Sequence, residues 1–228
     1  MITQKCSPPI ELVLFDLAGT TVKDRGEVAR AFTTALHEHD ISITPDELSS
    51  VRGSSKRQVV FNFIPDAPNR GMIAERVYDS FHQHLKRLYE DQGIEQVTGA
   101  QDVFQQLHDA GVLVGFTTGF DRSIAGLLLE TLNWQQIADV VVCAEEVREG
   151  RPAPYMVFRA MEIAGVKSVR AIATVGDTAL DLQAGYNAGV QLNIGVLTGA
   201  HDRGILEQQP HTHILGSVAE LPNVVFAI

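Results

Sequence analysis

Positive charge is scarce in this chain: 18 Lys and Arg stand against 28 Asp and Glu, a formal net charge of −10. Nonspecific nucleic-acid affinity comes mainly from Lys and Arg contacts to phosphates, and no basic run compensates, so no nucleic-acid partner is expected. Cysteine is almost absent. Cys6 and Cys143 are the only two, too few for a disulfide framework, and their positions suggest neither a zinc site nor a redox pair. Long apolar runs are missing as well: nowhere do eighteen apolar residues follow one another, and the opening Met1-Ile2-Thr3-Gln4-Lys5-Cys6-Ser7-Pro8-Pro9 has no apolar signal core. No membrane partner is expected, and a cytoplasmic location is. What remains is a chain of 228 residues, 45% hydrophobic and 20% charged, ample for a globular core.

Short apolar runs recur, each closed by turn residues. Leu12 to Phe15 leads into Asp16 and Gly19-Thr20-Thr21; Val112 to Phe116 leads into Thr117-Thr118-Gly119. Val140 to Cys143 follows, then Ala171 to Val175 before Gly176-Asp177, and Leu192 to Val196 before Leu197-Thr198-Gly199. Between them, apolar residues spaced near 3.6 predict helices over Gln101 to Ala110, Ser123 to Leu132, Pro154 to Ala164 and Ala179 to Ala188. Strands alternating with helices pair in parallel through right-handed crossovers, so an α/β layered sheet is expected. Residues 22–97 break the alternation. Helical patterns run over Glu27 to Glu38, Thr44 to Ser50 with Pro45 suited to a first helical position, Lys56 to Ile64, and Arg70 to Asp91, with Pro65-Asp66-Ala67-Pro68 between the last two. The expectation is an all-helical cap over 22–97, inserted into a Rossmann-like core of 1–21 and 98–228, with a cleft between them. Val22 and Val97 would flank the connecting segments.

Ligands of open parallel sheets bind beyond the carboxyl ends of the strands. Asp16, Thr118 and Asp177 each follow a predicted strand, Asp181 stands one helical turn past Asp177, and Arg151 lies in a Gly-Arg-Pro turn. Singly, each has an ordinary explanation as a turn former, a helix cap or a surface cation. Jointly they supply a carboxylate nucleophile, a hydroxyl donor, a cation and acidic metal ligands, a set suited to phosphoryl chemistry.

Three segments carry a family resemblance: Asp16-Leu17-Ala18-Gly19-Thr20-Thr21, Thr117-Thr118-Gly119 and Gly176-Asp177-Thr178-Ala179-Leu180-Asp181. Over essentially its full length the chain resembles the haloacid dehalogenase superfamily. The resemblance implies a Rossmann-like core and an aspartyl-phosphate intermediate on Asp16. It also implies Mg²⁺ held by Asp16, the Ala18 carbonyl and Asp177, with Asp181 supporting the metal shell. Thr118 would hold a phosphoryl oxygen, and Arg151 would neutralise charge on nucleophile and substrate. A dianionic phosphoryl group repels a carboxylate, so a cation that screens the pair is physically required.

Most phosphatases of the superfamily carry a second Asp two residues after the nucleophile, to protonate the leaving alkoxide; here that residue is Ala18. Losing a general acid forfeits roughly 10²- to 10⁴-fold in rate. Ala18, and Arg where relatives use Lys, resemble instead the phosphonatase branch, the phosphonoacetaldehyde hydrolases, which cleave a carbon–phosphorus bond. That bond breaks only if carbon's electrons have a sink, and a Lys condensed with the substrate carbonyl supplies one. Gly53-Ser54-Ser55-Lys56 stands where that branch has its Gly-x-x-Lys, which makes Lys56 the Schiff-base candidate. Gly53, Thr117, Gly119 and Arg57 are expected around the substrate, with Arg57 as a second cation that helps keep the Lys56 amine neutral.

Two positions depart from that branch: Val59 replaces its His and Phe120 its Tyr, both around the part of the substrate remote from phosphorus. His37, His82 and His84 are candidate replacements. A small phosphonate, phosphonoacetaldehyde first, is therefore the expected substrate. A small phosphate ester such as phosphoglycolate is the alternative, and a non-catalytic metal- or partner-binding fold a further one. The Arg70 to Asp91 pattern offers a candidate homodimer face through the cap, although core packing accounts equally for Val77, Phe81 and Leu85.

Overall fold

A computed structural model describes residues 9–66 and 68–227. Cys6 and most of the segment read for a signal core lie outside the described residues, as does Ala67 of the predicted inter-helix turn. Strand β1, Leu12–Phe15, is followed by helices α1 (Glu27–His37), α2 (Pro45–Ser50), α3 (Lys56–Phe63) and α4 (Arg70–Gln92). The alternating part then runs α5 (Ala100–Asp109), β2 (Leu113–Thr118), α6 (Arg122–Thr131), β3 (Val140–Cys143), α7 (Tyr155–Ala164), β4 (Ile172–Gly176), α8 (Ala179–Ala188) and β5 (Leu192–Val196). It closes with α9 (Arg203–Glu207), β6 (His213–Leu215) and α10 (Pro222–Val225). The fold is the expected α/β Rossmann-like one.

Among the described residues six strands form one parallel sheet, in the order β3-β2-β1-β4-β5-β6. Successive residues of β1 serve opposite faces. Val13 and Phe15 pack with Phe104, Phe116 and Trp134, while Leu12 and Leu14 pack with Val140, Met156 and Val157. Burial on both faces is why the strand reads as an unbroken apolar run rather than an alternating one. Strand β6 escaped the sequence reading because only three residues, one of them the exposed His213, pair with β5 at the sheet edge. Strand β2 continues two residues further than predicted, through Thr117 and Thr118, because both remain in register with Val142 and Cys143 of β3.

The chain lays β2 and β3 on one side of β1 and β4 to β6 on the other, so the topological switch lies between β1 and β4, where a ligand crevice forms. Phe15 is in register with Val175, and the Asp16 amide donates to the Val175 carbonyl at 2.9 Å. Asp16 and Asp177 thus leave neighbouring strand ends at that switch.

Helices α1 to α4 stand between β1 and β2 in the chain. Thr44 caps α2 through a reciprocal pair with Glu47, and Pro45 takes the first helical position as predicted. Ala31, Phe32, Ala35 and Leu36 of α1 bury against Val77, Phe81 and Leu85 of α4, with the Phe32 and Phe81 rings 5.9 Å apart. The apolar stripe considered as a dimer face is therefore spent inside the protomer. The segments leading into and out of these helices pair with each other. Val22 bridges Gln96, the Lys23 amide donates to Glu95 at 2.9 Å, and the Val97 amide donates to Thr21 at 2.7 Å. Among the described residues, no helix is long and apolar enough to cross a membrane.

Candidate active site

One cavity at the switch point is lined from both sides: by Asp16, Ala18, Thr118, Gly119, Arg151 and Asp177 of the sheet layer, and by Asp24, Arg52, Gly53 and Lys56 of the helical segment. The turn after β1 is shaped by Gly19, whose φ of +93° disfavours any residue with a β-carbon and whose amide donates to Val22 at 2.7 Å. Thr21 Oγ1 donates to the Asp16 carbonyl at 2.9 Å and ties the turn back to the strand.

Asp177 sits in a tight cradle. Thr20 Oγ1 donates to its Oδ1 at 2.9 Å and the Ala200 amide to its Oδ2 at 2.7 Å. A β-carbon on Gly199 would fall 2.0 Å from Oδ2, and one on Gly19 at 2.5 Å, so only glycine permits the loops after β1 and β5 to close around this carboxylate. Thr20, Gly199 and Ala200 went unassigned by sequence reasoning. Their signal was present in the Gly-Thr-Thr and Leu-Thr-Gly turns that follow two strands.

Arg151 is buried and engaged through all three guanidinium nitrogens. Nη1 donates to Asp16 Oδ1 at 2.8 Å and Nη2 to the Thr117 carbonyl at 2.7 Å and its hydroxyl at 3.0 Å, while Nε is ion-paired with Asp181 Oδ1 at 2.9 Å. It was expected to neutralise nucleophile and substrate alike. Its pairing with Asp16 places that charge on the expected nucleophile, and its donors are committed to protein groups.

Asp181, expected to support the metal shell, is held by protein groups. Its Oδ1 meets Arg151, its Oδ2 accepts from the Thr178 amide at 3.0 Å and hydroxyl at 2.5 Å, and it lies outside the main cavity lining. It caps α8 and anchors the arginine.

Thr118 is buried at the end of β2, its hydroxyl accepting from the Phe120 amide at 3.2 Å. Thr117 is buried too and holds Arg151 instead of lining the main cavity. The loop carrying Gly53 lies directly on the core: a β-carbon on Gly53 would fall 2.4 Å from Thr178 Oγ1, one on Gly119 would fall 2.4 Å from the Ser54 carbonyl, and the Lys56 amide donates to Gly119 at 3.2 Å. Lys56 Nζ donates to the Ser54 carbonyl at 3.3 Å and stands 5.6 Å from the Phe120 ring centre.

Arg57 was expected beside that amine as substrate ligand and second cation. It points elsewhere, pairing with Glu75 and lying 4.4 Å over the Tyr78 ring. Adjacent residues at the start of a helix diverge by about 100°, so Lys56 and Arg57 cannot share a direction, and Arg151 supplies the second positive charge. The candidate histidines also face away: His84 meets Glu38 at 2.9 Å, His82 lies 3.7 Å from Asp121, and His37 is exposed. Val59 and Phe120 leave that part of the cavity apolar.

Burial dominates the electrostatics. It raises the Asp16 carboxyl above the usual range, against the pull of Arg151, and raises Asp177 further, with Asp16 and Asp181 adding repulsion. Burial and Arg151 together lower the Lys56 amine, opposed by Asp16. Asp16 and Asp181 share Arg151, whereas among the described residues no cation lies within ion-pair distance of Asp177. An uncompensated buried carboxylate beside a second one is the environment a divalent cation relieves. Among the described residues no three acidic, His or Cys side chains cluster as a metal site. Two carboxylates plus the Ala18 carbonyl make an all-oxygen donor set, which suits Mg²⁺, an ion that keeps several of its waters.

Comparison with known proteins agrees with this geometry. Residues 13–194 match the haloacid dehalogenase-like hydrolase family model. A phosphonoacetaldehyde hydrolase of Bacillus cereus is 29% identical over 216 residues, covering 88% of this chain and 80% of the relative. One from Lysinibacillus sphaericus is 30% identical over 221 residues, covering 88% and 79%. The crystal structure of a phosphonoacetaldehyde hydrolase-like protein from Oleispira antarctica superposes with a TM-score of 0.84 at 22% identity, over 97% of this chain and 93% of that one. With Asp16, Thr118 and Asp177 gathered at the switch point of this sheet, the chain belongs to the haloacid dehalogenase-like hydrolases, an enzyme family, and resembles their phosphonatase branch.

Proposed function

We propose that this hydrolase cleaves the carbon–phosphorus bond of a small phosphonate bearing a carbonyl group two atoms from phosphorus, with phosphonoacetaldehyde the best match. The observation that carries the reading is Lys56: a desolvated amine beside the charge of Arg151, in the cavity that holds Asp16 and with Ala18 where a leaving-group acid would stand. Lowering the amine's proton affinity increases the neutral fraction that can attack a carbonyl. The names of the Bacillus and Lysinibacillus relatives support the same substrate.

Condensation of Lys56 with the carbonyl releases one water and leaves an iminium. Asp16 attacks phosphorus in line; the carbon–phosphorus electron pair moves toward the iminium nitrogen, forming an enamine, and the phosphoryl group passes to Asp16. Protonation at carbon and addition of water release the aldehyde and free Lys56, and a further water releases phosphate from Asp16. Because the leaving group is an enamine, no proton donor is required at position 18. Thr118 and the Gly119 amide border the phosphoryl end, while Arg151 fixes Asp16 and lowers its charge. Mg²⁺, held by Asp16, the Ala18 carbonyl and Asp177, would screen the repulsion between carboxylate and phosphoryl group.

Borohydride added during turnover is expected to reduce the adduct onto Lys56, and Lys56→Ala to abolish phosphate release. An unmodified Lys56, with Lys56→Ala still active on a phosphate ester such as phosphoglycolate, would replace this reading by a phosphatase.

A further inference from the structure

Asp24 lies at the entrance to α1 and lines the cavity with Asp16, Ala18 and Lys56. Its Oδ1 accepts from the amides of Gly26 at 3.0 Å and Val28 at 3.4 Å, and its carboxyl meets that of Glu27, which is only 3% exposed. A carboxyl group set against a second one gives up its proton less readily than a free one. Burial and the Glu27 contact accordingly raise Asp24 above the usual carboxylate range. Tyr89 from α4 faces both carboxyls, Arg25 lies beside Glu27 and donates its amide to Oε2, and the Lys56 amine from α3 feels the charge of Asp24.

Imine formation and hydrolysis need an acid and a base at the carbonyl end, since hydroxide does not leave unaided and water adds slowly without a proton acceptor. The other carboxyl and amine groups of the cavity wall are already engaged, for Asp16 attacks phosphorus, Asp177 would hold the cation and Lys56 forms the covalent bond. The rest of the carbonyl end is apolar, walled by Val28, Phe32, Val59 and Phe120.

We infer that Asp24, on the cavity wall with Lys56 and set against Glu27, is the acid–base catalyst of the carbonyl chemistry at Lys56. The inference rests on the reading of Lys56 as the Schiff-base amine. Lys56 adds to the carbonyl carbon, and the amine proton moves to the oxygen to give a carbinolamine. The Asp24 carboxylic acid then gives its proton to that hydroxyl, which leaves as water as the iminium forms. After the phosphoryl group has gone to Asp16 and the enamine carbon has been protonated from solvent, the Asp24 carboxylate accepts a proton from the water that adds to the iminium. Its acid form is thereby restored, and collapse of the second carbinolamine expels Lys56.

The test uses the full chain with Mg²⁺ and phosphonoacetaldehyde, following borohydride trapping and phosphate release from pH 5 to 9. In Asp24→Asn the amide oxygen still accepts from Gly26 and Val28, so the helix entrance is retained and the melting temperature checks it. This variant is expected to trap and turn over about 10²-fold more slowly and to lose the alkaline limb of the pH profile. Glu27→Gln removes the partner that helps Asp24 keep its proton, and should move that limb to lower pH. Acetyl phosphate, whose leaving group needs neither imine nor proton, should be hydrolysed by Asp24→Asn with a far smaller loss. The assignment is overturned if Asp24→Asn traps and turns over within about threefold of the parent, or if it loses acetyl phosphate hydrolysis as severely as carbon–phosphorus cleavage. Absence of any Lys56 adduct in the parent protein refutes the Schiff-base reading itself, and the role of Asp24 falls with it.

Discussion

Replacing Arg151 by Met tests the electrostatic arrangement most directly. The side chain is almost wholly buried and holds Asp16 at 2.8 Å and Asp181 at 2.9 Å, both themselves buried. Methionine fills much of the same volume but leaves two carboxylates facing each other with no cation between them. Removing one partner of a buried ion pair costs about 3–5 kcal/mol, chiefly because the remaining charge is stranded. At about 2–4 °C per kcal/mol for a chain of this size, the melting temperature should fall by roughly 6–20 °C. The size of the loss should depend on pH. Without Arg151 the native carboxyls bind protons more tightly than the unfolded ones, so stability falls as pH rises from the unfolded carboxylate pKa through the raised native values. Urea denaturation of metal-free parent and variant at pH 5 and pH 8 measures this, with the larger difference expected at pH 8. A difference below about 1 kcal/mol at pH 8, or an equal difference at both pH values, would show that Arg151 does not compensate these charges.

The same sign governs the metal-free parent, whose Asp16 and Asp177 are raised by burial: its stability should decline with rising pH, and Mg²⁺ should raise the melting temperature more at pH 8 than at pH 5. Thermal scans with and without EDTA check it. Gly199→Ala would push a methyl group onto Asp177 Oδ2, and should weaken Mg²⁺ activation by about 10–100-fold, read from a Mg²⁺ titration of activity. Phe81→Ala removes a ring buried against Phe32 and Tyr78 and should cost about 3–5 kcal/mol, measured by denaturant melts.

Strand β1 was legible because burial on both faces makes Leu12 to Phe15 uniformly apolar, and helix α4 because its apolar spacing persists over 23 residues. Asp16 and Asp177 were legible because strand ends in a parallel sheet share one edge, whatever the packing. These are local properties: period, turn chemistry and order along the chain. Convergence is not local. That Arg57 turns to Glu75 while Lys56 enters the cavity, that Asp181 clamps Arg151, and that Asp24 reaches the cavity wall depend on how helices from distant parts of the chain pack over one crevice. The amino-acid order alone determined strands β1 to β5, the helices between β1 and β2 and the carboxylates at the strand ends. Which side chains face the same few cubic ångströms was decided only by tertiary packing, because side-chain direction follows from the rotation and seating of each element against its neighbours.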